Sequence, residues 1–242
     1  MIGTIVNAIA MAVGGLIGII FKKWIKEEYS NRVLKVIGLA VFVVALMGII
    51  KSMITINADG SFTSNYELVI IICLSCGTLL GELLKIEDHL NDLSLKIEKK
   101  FVKDDAKQGT FTKGFITASL VACLGAMALV GSINDALGDP STLFIKSVID
   151  FVTMILLGST LGYGVIFASI SVFVYQGAVT VLGLLLNNFM SQEFINAFSA
   201  LGNTMILAIA FNFICDTKIK VANTLPSILL LIVYFLIKKF VF

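Results

Sequence analysis

The chain has 242 residues, 58% of them apolar and only 14% charged, with a mean hydropathy of +0.99 and a net charge of +2. Soluble domains average about 45–50% apolar and about 25% charged, so this composition cannot cover a water-facing surface and excludes a soluble globular protein. Twenty glycines against two prolines suit a helical membrane bundle, where glycine lets helices approach closely.

A helix needs about 20 apolar residues to cross the hydrocarbon core. That rule predicts an all-α helical membrane bundle of about eight transmembrane or partly re-entrant helices, forming a single transmembrane domain over 1–242. The spans are Ile2–Phe21, Val36–Ile50, Leu68–Leu84, Gly114–Ile133, Leu143–Leu157, Val165–Leu186, Phe194–Ile214 and Thr224–Ile237. The second, fifth and eighth are short for a full crossing and read as half-helices or as lying in locally thinned bilayer. The first reads as a retained span, because its basic cluster Lys22, Lys23 and Lys26 follows the apolar run. A secretory signal has the reverse order.

Lysine and arginine in short loops mark the cytoplasmic side. The loops after the first, third and seventh spans hold fourteen of the eighteen basic residues, which predicts an N-terminus outside. Eight spans then place the C-terminus outside too, against the basic pair Lys238-Lys239. In the third-to-fourth connection, Leu90, Leu93, Ile97 and Phe101 recur at helical spacing with charges between them. This predicts a cytoplasmic amphipathic surface helix at about 86–101, lying on an anionic leaflet.

Small-xxx-small pairs recur at Gly14/Gly18, Gly77/Gly81 and Gly158/Gly162. Each permits a close helix crossing, inside the bundle or at the seam of a homodimer. Ile17–Asn31 aligns without a gap to Leu182–Asn196, matching Gly18 to Gly183, Glu28 to Glu193 and Asn31 to Asn196. In the eight-span topology these stretches run in opposite directions, as in an inverted repeat.

Ionisable residues inside a transmembrane segment are costly and mark function by default. Lys146 and Asp150 lie one helical turn apart in the fifth span, either as a structural ion pair or as a gate that opens when a solute or ion binds. Gln176 sits near mid-depth of the sixth span, with Gly177 leaving room beside it and Tyr175 adjacent. Asn7 and Asn203 add further amides, and together these groups predict a polar cavity. Asn134-Asp135 closes the fourth span as a helix cap. Cys73 and Cys76 form a CxxC inside an apolar run, which reads chiefly as packing. No Walker loop, HExxH or GxSxG is present, so no enzymatic chemistry, cofactor or metal is expected.

Several stretches resemble one family across nearly the whole chain: Gly3-Thr-Ile-Val-Asn7, Gly81-Glu-Leu-Leu84, Gly114-Phe-Ile-Thr-Ala-Ser-Leu120, Lys146-Ser-Val148 with Asp150, Tyr175-Gln-Gly177, and Leu225-Pro226. They are similar to the YqgA/YdfK-like bacterial integral membrane proteins, a family of unknown function. The resemblance implies a bacterial inner-membrane protein of a kind often described as a transporter, and it supplies no site residues. Two functions follow as expectations. One is a secondary transporter or channel-like carrier of a small polar solute or ion, working as a homodimer through Lys146, Asp150, Gln176, Tyr175, Asn7 and Asn203. The other is a non-transporting scaffold or sensor acting through the basic helix 86–101.

Overall fold

The computed structural model describes all residues except 23–26, 90–91, 93–109, 124–125, 187–190 and 242. The expected surface helix therefore lies almost wholly outside the described residues. The described chain is an all-α bundle apart from one hairpin. Its helices are α1 (Ile2–Lys22), α2 (Glu27–Met53), α3 (Glu67–Leu83), α4 (Thr110–Cys123), α5 (Ala126–Ala136), α6 (Ser141–Leu161), α7 (Gly164–Leu186), α8 (Gln192–Ile214) and α9 (Pro226–Val241), with a 3-10 turn at Val221–Thr224. Helices dominate because lipid offers no partner for backbone polar groups, and a helix satisfies them within one segment.

Six described helices are long and apolar enough to cross a membrane, or seven if α4 and α5 count as one. The α3 helix has 17 residues, about 26 Å, just short of a typical core. Two expectations are corrected. The second and fifth spans are not half-helices: each lies within a full-length helix, of 27 residues in α2 and 21 in α6. The fourth span is not one helix, since α4 and α5 are bent by 63° at their junction. A strand pair, Ile54–Ile56 with Phe62–Ser64, joins α2 to α3 and has no counterpart in the sequence reading. Its tip carries Asp59-Gly60, a hairpin turn signal, with Gly60 at φ 81°.

The chain forms two compact units. The first comprises Met1–Ile37 and Leu90–Met190, the second Gly38–His89 and Ser191–Phe242. In the first, α1 and α6 run parallel in intimate contact: a Cβ at Gly14 would come within 2.5 Å of the Phe151 carbonyl oxygen, and one at Gly18 within 2.3 Å of that of Ile155. Gly158 answers from α6 and meets Gly15. The helix α7 lies antiparallel to α1, and Gly162 at φ 76° makes the turn that leads from α6 into it. The α4–α5 pair runs opposite to α6: Gly114 packs on Leu161 at one end, and Gly131 on Leu143 at the other. Its ends thus lie at opposite ends of α6, as in a broken span rather than a re-entrant loop.

In the second unit α3 and α9 are antiparallel, with Gly77 against Ser227 and Gly81 against Asn223. The helices α2 and α8 are also antiparallel, with Gly38 against Phe213 and Gly48 against Asn203. The glycine pairs are therefore used in packing within the chain. The outward face of α1 is aliphatic (Ile2, Ile5, Ile9, Leu16 and Ile20 are exposed), while Thr4, Asn7 and the glycines face inward. This reversal of the soluble pattern fits a helix whose outer solvent is lipid.

Candidate functional site

Each helix end in the first unit needs partners for its unpaired backbone groups. Asp135, at the end of α5, supplies them for the start of α1. Its carboxylate accepts from the backbone N–H of Gly3 and Thr4 at 3.1 Å each and from the Thr4 hydroxyl at 3.0 Å, and it pairs with the Met1 amino group at 3.1 Å. A negative group is favoured there by the helix dipole. So Asp135 is a cap, as expected, but it caps a different helix from its own. The Thr4 hydroxyl also bonds that of Thr180 on α7 at 3.0 Å. At the other end, Lys22 donates to the Thr160 carbonyl at 3.2 Å and so serves the last turn of α6.

One and two turns inward from Thr4 lies the polar cluster. Lys146 Nζ stands 2.9 Å from both carboxylate oxygens of Asp150. Asn7 Nδ2 donates to Asp150 Oδ2 and to Gln176 Oε1, each at 3.1 Å. Three helices, α1, α6 and α7, thus meet through one ion pair and two amides. Asp150 is nine residues into the 21-residue α6, about 14 Å along its axis, so the carboxylate lies near the middle of that helix. Asn7 and Gln176 are fully buried, and Lys146 and Asp150 are 6% and 4% exposed.

Among the described residues the cluster is closed, where the sequence led us to expect a polar cavity. The space left by Gly177 faces the Met1 methyl group, which lies 3.8 Å from where a Cβ would stand, in a shallow apolar groove with Phe173, Val174, Ala178 and Val181. Closure is not the same as satisfaction, however. Asn7 Oδ1 and Gln176 Nε2 are buried with no hydrogen-bond partner, and so are Tyr175 Oη and Ser119 Oγ. An unmade hydrogen bond on a buried group costs about 1–3 kcal/mol. The ion pair is net neutral, which lowers the burial cost of both charges.

Five of the six expected residues lie in this unit. Lys146, Asp150, Asn7 and Gln176 form the bonded network. Tyr175 is next to Gln176 on α7, with its hydroxyl buried. Asn203 does not join the network. It belongs to the second unit, where its amide donates to the Ser199 carbonyl at 2.7 Å and hydroxyl at 3.2 Å while packing on Gly48. What sequence reasoning did not join is the Asp135–Thr4–Thr180 chain that ties α5, α1 and α7 together. Small polar residues in apolar helices were the available signal, but nothing local says which of them converge. Of the CxxC pair, Cys73 is buried and Cys76 exposed, so the two thiols point to different surroundings.

The second unit has its own polar junction. Asn223 Oδ1 accepts from the Glu87 backbone N–H at 2.7 Å, and Glu87 Oε2 accepts from that of Ala222 at 3.1 Å. Lys220 bonds Asp88 at 3.0 Å. At the opposite end of α9, Lys238 pairs with Glu193 at 2.6 Å, at the start of α8.

Residues 2–236 match the family described as "Protein of unknown function (DUF554)". The chain is 30% identical over 231 residues to the "Uncharacterized membrane protein YdfK" of Bacillus subtilis (strain 168), covering 95% of this chain and 93% of that one. It is 26% identical over 234 residues to the "Uncharacterized protein YqgA" of Escherichia coli (strain K12), covering 95% and 94%. No solved structure matches it.

Proposed function

This chain belongs to the DUF554 family, and from that premise we propose that it is a secondary carrier or channel-like path for a small polar solute or ion across the bacterial inner membrane. It is a multi-pass membrane protein of apolar helices. The observation that carries the functional reading is the cluster itself. An ion pair and two amides are buried near mid-depth of an apolar unit, with an acceptor on Asn7 and a donor on Gln176 left unpaired. A merely structural polar contact between helices favours full pairing, because each unmade bond destabilises the bundle. An acceptor left over on α1 and a donor left over on α7 suit a transient partner. We assign the chain no enzymatic role.

Internal symmetry supports the same reading. The 165-residue offset that takes Ile17 to Leu182 also takes Glu27, the first residue of α2, to Gln192, the first of α8. Under that offset Gly38 becomes Asn203 and Gly48 becomes Phe213. The observed contacts are Gly38 with Phe213 and Gly48 with Asn203, so each is the exchanged image of the other. A two-fold relation between antiparallel helices requires such exchange. The order α1–α2–α3 against α7–α8–α9, with each helix antiparallel to its counterpart, is an inverted repeat on this reading, the plan of many carriers.

Sidedness follows from charge. The basic loops lie inside, so the N-terminus and the hairpin at 54–64 lie outside. Lys238 shares an end of the second unit with Tyr66 at the start of α3 and with Glu193, and its charge is offset by Glu193. The helix α9 runs antiparallel to α3, so its C-terminal end lies beside the start of α3, on the same side as the hairpin.

The test is reconstitution into liposomes and an uptake screen over amino acids, organic acids and inorganic ions. The expected result is saturable uptake of one class, reduced at least tenfold by Lys146→Ala and by Asp150→Asn. Uptake unchanged by both variants would remove the cluster from the path. The complete burial of Asn7 and Gln176 favours a second reading, a non-transporting scaffold or sensor acting through 86–101. On that reading, deleting 90–101 abolishes a cellular phenotype while no solute moves in liposomes.

A further inference from the structure

We propose that Asp150 is a proton-binding site and that loading it releases Lys146 and opens the closed cluster. This rests on the carrier reading and names the ion that would work the gate. A solute needs space, and the groove beside the cluster is apolar and lined by Met1, Phe173 and Val174 rather than by the polar atoms. A proton needs none. Both Asp150 oxygens are within 2.9 Å of the Lys146 ammonium, so an internal cation already stands where an external one would bind.

The step balances simply. One proton from water adds to an Asp150 oxygen, the carboxylate becomes a carboxylic acid, and the cluster charge goes from zero to +1. The ammonium of Lys146 keeps its three protons but loses its counter-charge. Asn7 Oδ1, on the same amide that bonds Asp150, is an acceptor with no present partner. Even where such an acceptor takes an ammonium N–H, a neutral amide does not cancel a buried charge. The protonated cluster therefore favours any arrangement in which Lys146 reaches water, and the closed arrangement is lost.

The groups around Asp150 leave it as the natural acceptor. On its own helix stands Lys146. From α1 come Asn7 and Thr4, both uncharged, with Lys22 at the far end on Thr160. From α4 comes the Cys123 thiol, from α7 Gln176, which shares the Asn7 amide, and from α5 Asp135, whose carboxylate is taken up by the start of α1 and the Met1 amino group.

The experiment is infrared difference spectroscopy of the purified, full-length protein in lipid across a pH series. Wild type minus Asp150→Asn should show a carboxylic-acid stretching band that grows as pH falls and shifts on exchange into heavy water. Lys146→Gln removes the counter-charge, so in that variant the pH dependence of the band should differ from that of wild type. The wild-type melting temperature should drop as the band grows, and in Lys146→Gln that drop should vanish. A difference spectrum without the band at any pH overturns the proposal, as does an unmoved band in Lys146→Gln. The latter comparison stands even where Asp150→Asn fails to fold. Saturable uptake without the band would sink the proton site and spare the carrier, whereas the band without uptake of any solute would do the reverse.

Discussion

A carboxylate and an ammonium persist in the interior of a membrane protein only when each answers the other's charge, and residue identity there is a matter of electrostatics before shape. Lys146 and Asp150 meet that condition on one helix turn. Glu87 shows the same physics outside the membrane spans. Its carboxyl is held above the usual carboxylate range, first by partial burial and then by the neighbouring Asp88 and Glu82, against the Ala222 N–H and Lys220. A raised value means that the folded junction favours the neutral acid. The stabilisation is therefore complete at acid pH and is lost as pH rises through the raised value. Amide exchange at Ala222, corrected for its intrinsic pH dependence, should accelerate over that window in wild type. In Glu87→Gln the acceleration should be absent, and an unchanged profile would show that another group controls the junction.

At the scale of elements, the first unit depends on how closely α1 and α6 approach. The obstruction at Gly18 is backbone, the Ile155 carbonyl at 2.3 Å and the Ser159 nitrogen at 2.9 Å, so no rotamer change can relieve a new side chain there. Gly18→Val should cost about 1–3 kcal/mol or force the helices apart, seen as a lower melting temperature in detergent. Gly60→Ala, at the hairpin tip with nothing within 4 Å, meets no such contact. Its cost is the positive φ alone, and it should lower the melting temperature far less. The polar cluster lies on the same helix pair, two to three turns from Gly18, so the close approach also holds Asn7 within reach of Asp150.

At the scale of the whole molecule, the charge distribution makes a prediction about sidedness. A single cysteine introduced at Asp59, in a background with the four native cysteines replaced, should react with a membrane-impermeant thiol reagent added to intact cells. One introduced at Lys218 should react only after the cells are permeabilised. The reverse pattern would invert the topology. Both positions lie outside the candidate spans, so neither substitution disturbs helix packing.

Composition and the spacing of apolar runs were enough to determine the class: a helical membrane protein, its approximate spans, and the handful of polar side chains that lipid would not tolerate. The Lys146–Asp150 pair was legible because its partners are one helical turn apart. The rest of the cluster was not, because Asn7 lies 143 residues from Asp150 and 169 from Gln176. The physical reason is specific to membranes. In water, apolar periodicity tells which face of a helix turns inward; in lipid the outer solvent is as apolar as the core, so hydropathy marks the span without marking its face. The facing was decided by tertiary packing, through glycine contacts of α1 on α6 and the capping of α1 by Asp135, and only that packing brought the ion pair and the two amides together while placing Asn203 in the other unit.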